Sequence, residues 1–231
     1  MTTLIPPQFV ERYKYHSCKQ INLEGKRLYE APDGTKTPSV TTILSATKDM
    51  TALNEWKNRV GHEKAKQITK EASGRGTSMH QNIERFITGL PRMPGKNLVH
   101  VKANDMATVI IEKGLSQIKE IWAIEQSLYY PGLYSGTTDG IGLTTEDVPA
   151  IFDYKQTNKP KKAEYIEDYL IQLTAYILAH NKVYGTDIKR GIIFMCSQDL
   201  QYQQFNLLPA DFNKYEDMWW DKVETYHTTN Q

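Results

Sequence analysis

An acidic and a basic residue stand two positions apart in the β-prone segment 150–157, which reads AIFDYKQT. Side chains alternate between the two faces of a strand, so Asp153 and Lys155 are predicted on one face, with Phe152 and Tyr154 on the other. A carboxylate and an amine held side by side on a rigid strand can bind a metal ion and position a water molecule.

A second acidic residue, Asp139, lies beside glycine in the segment YSGTTDGIG. The spacing between Asp139 and Asp153 is long enough for two strands and a hairpin loop. We therefore predict that the two segments pair as neighbouring strands and bring the two carboxylates together. The alternative is that both carboxylates only cap strand ends, which leaves the ordered set of motifs below unexplained.

Helical residues upstream of these strands could join the same site. His80 and Glu84 are four residues apart, so a helix places them on neighbouring positions of one surface. A lone helical histidine is either structural or a ligand, and the adjacent Glu84 gives the two alternatives similar weight. Gly74 and Gly76 are expected to end a preceding helix at residues 52–72.

The next helix is then expected to begin at a cap formed by Thr77 or Ser78. In that arrangement, backbone amides at the helix start, near Arg75 and Thr77, could hold a phosphate group.

The remaining pattern alternates between helical and strand-like segments. A β-hairpin is predicted over residues 20–30, with its bend at Glu24-Gly25-Lys26, and a long helix is predicted over residues 102–124. The later strands are predicted at 127–130, 134–143, 150–157, 191–196 and 201–207, with helices over 164–183 and from 209 onward.

Helix 164–183 carries a polar and aromatic stripe on a different side from its apolar stripe. The stripe comprises Tyr165, Asp168, Gln172 and Tyr176. It either faces the site or forms a partly exposed surface, and the first alternative is favoured.

Composition suits one globular domain over residues 1–231, since 39% of the 231 residues are hydrophobic and 24% are charged. Within it we expect an N-terminal hairpin or appendage (1–50), a core (51–208) and a C-terminal helix (209–231). The net charge is only +1, so contacts with nucleic acid would need local basic patches.

Two distant cysteines, Cys18 and Cys196, are expected to be reduced thiols, which is consistent with a cytoplasmic setting. They cannot supply the four thiolates that commonly hold an iron–sulfur cluster. The N-terminal segment MTTLIPPQF does not resemble a signal peptide, and no apolar run approaches the roughly 18 residues that a membrane span needs.

Four segments in order resemble the PD-(D/E)XK nuclease superfamily, in the RecB-like branch of phage exonucleases and the mitochondrial genome maintenance exonuclease. They are RGTSMHQNIE, GTTDG, FDYK and DYLIQLTAY. Each motif alone is weak, but four in order with family-like spacing are strong. The resemblance implies an α/β, restriction-endonuclease-like core with a central mixed β-sheet flanked by helices.

The resemblance also implies roles for the matching positions. Metal ligands would be His80, Asp139, Asp153 and the backbone carbonyl of Tyr154. Lys155 would orient or deprotonate the attacking water, and Glu84, Gln172 and Tyr176 would complete the catalytic set. Gln156 follows Lys155 where many relatives have Thr or Ser. The expected DNA contacts are Arg75, Thr77, Lys159, Lys161, Lys162 and Tyr165.

The implied activity is that of a DNA exonuclease that uses one or two Mg²⁺ or Mn²⁺ ions and has no iron–sulfur cluster. It would serve phage-type DNA processing or recombination. The expected location is the cytoplasm, which is the host cytoplasm if the protein is phage-encoded. Its partner would be DNA, as single strands or duplex ends, and not a membrane. Two alternatives are a structure-specific or nicking endonuclease of the same fold and a non-catalytic DNA-binding module.

Overall fold

The computed structural model describes residues 4–23 and 26–229. Its strands are β1 (Gln8–Phe9), β2 (Lys19–Leu23), β3 (Lys26–Glu30), β4 (Lys36–Pro38), β5 (Ile118–Tyr130), β6 (Tyr134–Thr144), β7 (Pro149–Thr157), β8 (Arg190–Ser197) and β9 (Tyr202–Leu207). Its α-helices are α1 (Val40–Ala46), α2 (Thr51–Val60), α3 (His62–Ile87), α4 (Leu98–Lys113), α5 (Glu167–Tyr184) and α6 (Phe212–Thr229).

A mixed sheet lies at the centre of the described residues, with the strand order β1-β5-β6-β7-β8-β9. Its middle is antiparallel from β5 to β7, whereas β7 pairs with β8 in parallel. Helix α5 connects that parallel pair. The predicted α/β class, with a mixed sheet flanked by helices, is confirmed.

Two hydrophobic layers cover the two faces of the sheet. On one face, Ile151 of β7 packs in a cluster with residues of α1, α5 and α6, including the buried Trp219. On the other face, Phe152 packs with residues of α3 and α4, such as Met79 and Ile110. Strand β7 is therefore buried on both faces, as central strands of α/β proteins are, and it is a rigid support for Asp153.

The predicted helix break at Gly74 and Gly76 is wrong. Helix α3 continues through both glycines, and the chain breaks instead at Gly61, whose φ of 87° favours glycine. Two interior glycines cost about 1 kcal/mol each relative to alanine, but packing of fully buried residues further along the same helix, among them Met79 and Ile83, outweighs that cost. The predicted cap at Thr77 or Ser78 is wrong for the same reason.

The predicted helix over residues 102–124 is also wrong at its C-terminal end. Helix α4 stops at Lys113, and residues 118–130 form the long strand β5. The apolar residues Ile118, Ile121 and Trp122 belong to this strand, since a short apolar run fits a buried strand as well as a helix.

The predicted hairpin over residues 20–30 is confirmed by the antiparallel pairing of β2 with β3. At its predicted bend, Glu24 and Gly25 lie outside the described residues. Among the described residues, none of the helices combines the length and apolar character needed to cross a membrane.

Candidate active site

Strands β6 and β7 separate at Asp139. Their pairing runs from Leu143↔Pro149 to Gly140↔Phe152 and stops there, so the next residues on the two strands are Asp139 and Asp153. Where the hydrogen bonds between the two strands end, the Asp139 carboxylate accepts a hydrogen bond from the backbone N–H of Tyr154 at 2.6 Å. The prediction that neighbouring strands bring these two segments together is confirmed.

Gly140 makes this close approach possible. A Cβ atom at that position would lie only 2.0 Å from the ring of Phe152, which covers the glycine from the opposite strand. Because any side chain would displace the ring, the glycine beside Asp139 is needed for the strand spacing that precedes the separation.

Lys155 lies on the same face of β7 as Asp153, as predicted, with its Nζ atom 2.5 Å from Asp153 Oδ2. The lysine Nζ also donates to Gln172 Oε1 at 3.3 Å, and Gln172 Nε2 donates to the hydroxyl of Tyr176 at 3.0 Å. Part of the polar stripe on α5 therefore faces the site. Of its other members, Asp168 forms an ion pair with Lys48 instead.

His80 reaches the same point from helix α3. Its Nε2 atom lies 2.8 Å from the carbonyl oxygen of Tyr154, and its Nδ1 atom lies 3.3 Å from Asp139 Oδ1. The Tyr154 backbone is thus held at both its N–H and its C=O. His80 therefore lies beside Asp139, at the point where β6 and β7 separate.

The four charged groups strongly perturb one another. Burial, reinforced by the negative charge of Asp139, raises the pKa of Asp153 to about 6. Burial opposes the charge on His80, but the charge and hydrogen bond of Asp139 outweigh it and raise the pKa of His80 to about 9. His80 and Lys155 in turn overcome burial and lower the pKa of Asp139.

Lys155 remains an ammonium in this environment. Its side chain is 20% exposed, and the negative charges of Asp153 and Asp139 outweigh the effect of burial and raise its pKa. A group held in its charged form donates hydrogen bonds and cannot accept a proton.

Glu125, which the sequence analysis did not select, completes the acidic cluster. It lies on β5 between the paired positions Ile124↔Gly140 and Gln126↔Thr138, and is therefore opposite Asp139. One carboxylate oxygen of each acid and a ring nitrogen of His80 all lie within 4.8 Å of one another. Glu125 is exposed at the cleft, but partial loss of hydration beside the cluster, followed by the charge of Asp139, raises its pKa to about 7.

The backbone of Glu125 is strained, with a φ of 45°. A non-glycine residue in this region costs about 1–3 kcal/mol, and such residues concentrate at functional sites. Residue 125 falls between the helix predicted over 102–124 and the strand predicted at 127–130, so the sequence pattern does not place Glu125 on a strand. Extending the strand pattern back from Tyr130 would have placed an acid opposite Asp139.

An open cleft of about 460 Å³ leads to this cluster. Its walls are formed by helix α3, including Thr77 and Glu84, and by Glu125. Glu84 is exposed at the wall, and it does not belong to the group of close ligand atoms formed by His80, Glu125 and Asp139. Its catalytic role stays a prediction.

The predicted grip on a phosphate by helix-start amides near Arg75 and Thr77 is wrong, because both residues lie in the interior of α3. The Arg75 side chain is only 4% exposed, and it donates to Gln156 Oε1 at 2.7 Å and to Asn158 Oδ1 at 2.5 Å. Arg75 therefore fixes the end of β7, including the Gln156 that departs from the family pattern.

The other predicted DNA contacts lie on the segment between β7 and α5. Lys159, Lys162 and Tyr165 are exposed there. The Nζ atom of Lys161 lies 5.2 Å from the ring centroid of Tyr169, and that of Lys155 lies 5.1 Å from the same ring. Tyr169, also missed from the sequence, thus connects the basic segment to the catalytic lysine of the predicted set.

No protein-family model and no curated protein sequence matches this chain. Solved structures with partial similarity to this chain include the crystal structure of SSO0001, at 14% identity and a TM-score of 0.42, over 82% of this chain and 76% of that one. Another is an alkaline exonuclease (LHK-Exo) from Laribacter hongkongensis, at 16% identity and a TM-score of 0.30, over 65% and 79%. At these scores, neither likeness defines an activity for this chain.

Proposed function

We propose that this protein is a metal-dependent deoxyribonuclease of the PD-(D/E)XK superfamily that hydrolyses phosphodiester bonds as an exonuclease in phage-type DNA processing. The observation that carries the proposal is the separation of β6 from β7. It brings Asp139, Asp153 and the ion-paired Lys155 together around one peptide unit, that of Tyr154.

The donor atoms suit a hard divalent cation. His80, Glu125 and Asp139 present ligand atoms within 4.8 Å of one another, and the Tyr154 carbonyl lies 2.8 Å from His80 Nε2. Asp153 lies outside this close group, next to Tyr154 on β7 and paired with Lys155. A set dominated by oxygen fits Mg²⁺ or Mn²⁺. Such an ion, when bound, stabilises negative charge on the phosphate and lowers the pKa of a coordinated water.

Lys155 stabilises the reacting phosphate directly in this proposal. Asp153 and Gln172 hold its ammonium on the site face of β7, so it needs no reorganisation as negative charge develops. Because its pKa is raised, Lys155 orients the water and offsets charge, and it does not act as the general base. Tyr176 keeps Gln172 in place through their hydrogen bond.

The DNA backbone would pass along the basic segment that ends at α5. Lys159, Lys161, Lys162 and Tyr165 lie there, and Tyr169 connects the segment to Lys155. With a net charge of only +1, a local patch of this kind supplies the phosphate contacts. The setting we propose is the cytoplasm, that of the host if the protein is phage-encoded.

End-labelled linear DNA, single- and double-stranded, compared with covalently closed circles in Mg²⁺, tests this function. We expect degradation of linear substrates to short products, and no cleavage by Asp153→Asn, which keeps the side-chain shape. Nicking of circles would instead indicate the endonuclease alternative. Binding without cleavage of any substrate would indicate the DNA-binding module and contradict the proposal.

A further inference from the structure

A second cavity of about 510 Å³ lies beside the catalytic cleft. Helix α3 forms one wall, from Gly74 to Gln81, and the loop before α4 forms the other with Met93 and Pro94. Thr77 and Gln81 line both the cavity and the cleft, so the two spaces are separated only by these side chains.

The loop that forms the outer wall is fixed in place by hydrogen bonds. The buried Asn82, 1% exposed, accepts the backbone N–H of Met93 at 2.8 Å and donates to the Ser78 carbonyl at 3.0 Å. Arg85 donates to the Pro91 carbonyl at 2.5 Å, and Arg92 donates to Asn104 of α4. A preformed wall of this kind lowers the ordering cost of binding.

The chemistry of the cavity matches one part of a nucleotide. Its surface is mainly apolar and includes the thioether of Met93, which packs well against aromatic rings. Lys96 and His100 lie at its lining and can meet phosphate oxygens. Its volume lies within the range of about 300–1,000 Å³ that small-ligand sites occupy.

We propose that this cavity, the base pocket, binds one unstacked nucleobase of the strand being cut, next to the scissile phosphate. The inference rests on the proposed nuclease function and defines its substrate as a strand whose nucleotide is free of its partner. Lys96 and His100 would contact the phosphate that follows the bound base. A frayed or single-stranded end would then be cut in preference to a fully paired one.

Gly74 allows the pocket to be filled without disturbing the fold. A Cβ atom added there meets no atom within 4 Å, and a leucine favours the helix more than the glycine does. Gly74→Leu is therefore expected to occupy the pocket while leaving α3 intact. Ser73→Leu, at an exposed neighbouring position of the same helix, is the matched control.

The first test uses single-stranded oligonucleotides with one abasic nucleotide at either end, each compared with the intact strand. Stacking of a base against protein contributes about 1–3 kcal/mol, so we expect KM of the wild type to rise about 5- to 150-fold for one of the two abasic ends. Gly74→Leu should lose this discrimination and Ser73→Leu should keep it. Equal KM values for intact and abasic ends, in an enzyme that cleaves both, would overturn the base pocket.

The second test needs no cleavage and so separates the base pocket from the proposed function. A strand with terminal 2-aminopurine is titrated with protein in EDTA, and the change in base fluorescence is followed. We expect Gly74→Leu to bind about 10-fold more weakly than the wild type, with Ser73→Leu unchanged. Identical titrations for the wild type and Gly74→Leu would overturn the inference, as would equal weakening by both variants.

Discussion

The pKa values of two helical histidines, the partly buried His80 and the fully buried His180, are shifted in opposite directions. His80 lies beside the Asp139 carboxylate, and its pKa is raised to about 9. His180 of α5 is fully buried, its hydrogen-bond partners are the hydroxyls of Tyr15 and Thr186, and burial lowers its pKa to about 4. Burial lowers the pKa of both histidines, and only at His80 does a charged partner outweigh this effect.

The hydroxyl network fixes His180 as a neutral scaffold residue. Thr186 donates its proton to Asn181 Oδ1, so it accepts from His180 Nδ1–H. The other ring nitrogen then accepts from the Tyr15 hydroxyl at 3.1 Å. His180 therefore attaches the N-terminal segment, through Tyr15, to α5. His80 instead lies beside the charged Asp139, in the group that we propose binds a metal ion.

Asp139→Asn is the largest perturbation of this comparison. The substitution removes the negative charge next to His80, which His180 lacks. It also removes one of the proposed metal ligands. We expect at least about a 1,000-fold loss of cleavage, since each tenfold loss corresponds to 1.36 kcal/mol of transition-state stabilisation and a metal contributes several kcal/mol. NMR titration should show a lower pKa for His80, and an unchanged pKa would contradict the assigned coupling.

Lys155→Met tests the cation that the site holds next to Asp153. Methionine keeps the unbranched apolar stem, so loss of the ammonium should lower kcat by about 100- to 1,000-fold, the range found when one charge-stabilising donor is removed. DNA affinity, measured by fluorescence anisotropy in EDTA, should stay close to the wild type. Cleavage at the wild-type rate would exclude the proposed role of Lys155.

Glu125→Gln should have a smaller effect, because the other proposed ligands remain. We expect activity to require a higher Mg²⁺ concentration, with about a 10-fold rise in the concentration for half-maximal rate, because one of several proposed ligands is lost. Glu63→Gln, at an exposed position of α3 away from the proposed ligands, is the control. Equal Mg²⁺ requirements for wild type and Glu125→Gln would remove Glu125 from the site.

His180→Phe should leave cleavage unchanged and alter stability toward acid. The pKa of His180 is about 4 in the folded protein and 6.5 as a reference, so the unfolded state binds the extra proton first as pH falls below 6.5. The wild type then loses about 3 kcal/mol of unfolding free energy between pH 7 and pH 4, at 1.36 kcal/mol per pKa unit.

The phenylalanine variant lacks this titration, although it loses two hydrogen bonds at every pH. Chemical denaturation at pH 7 and pH 4 should therefore show a difference that is smaller by about 3 kcal/mol in the variant. His62→Gln, at an exposed histidine, is the control. An unchanged difference in His180→Phe would show that this residue does not govern the acid response.

The sequence was informative where local pattern and chemistry agree. Alternation along 150–157 predicted the shared face of Asp153 and Lys155, and the spacing to Asp139 predicted the strand pair, which the structure confirms. It failed where tertiary packing overrides local signals. Gly74 and Gly76 remain helical because the rest of α3 packs against the sheet.

Glu125 shows a second limit of sequence analysis. Its importance depends on being opposite Asp139, a long-range register that becomes visible only once residues 118–130 are known to be a strand. The base pocket could not be predicted from the sequence either. Its outer wall depends on the hydrogen bond between Asn82 of α3 and the backbone N–H of Met93, a contact that no periodic pattern in the sequence indicates.

Divalent metal binding at the separation of β6 from β7 tests the central claim most directly. Mn²⁺ binding can be followed by electron paramagnetic resonance for the wild type and for Asp139→Asn, without DNA. We predict saturable binding to the wild type and its loss in the variant. Equal Mn²⁺ binding by both proteins, or none by the wild type, would contradict the account.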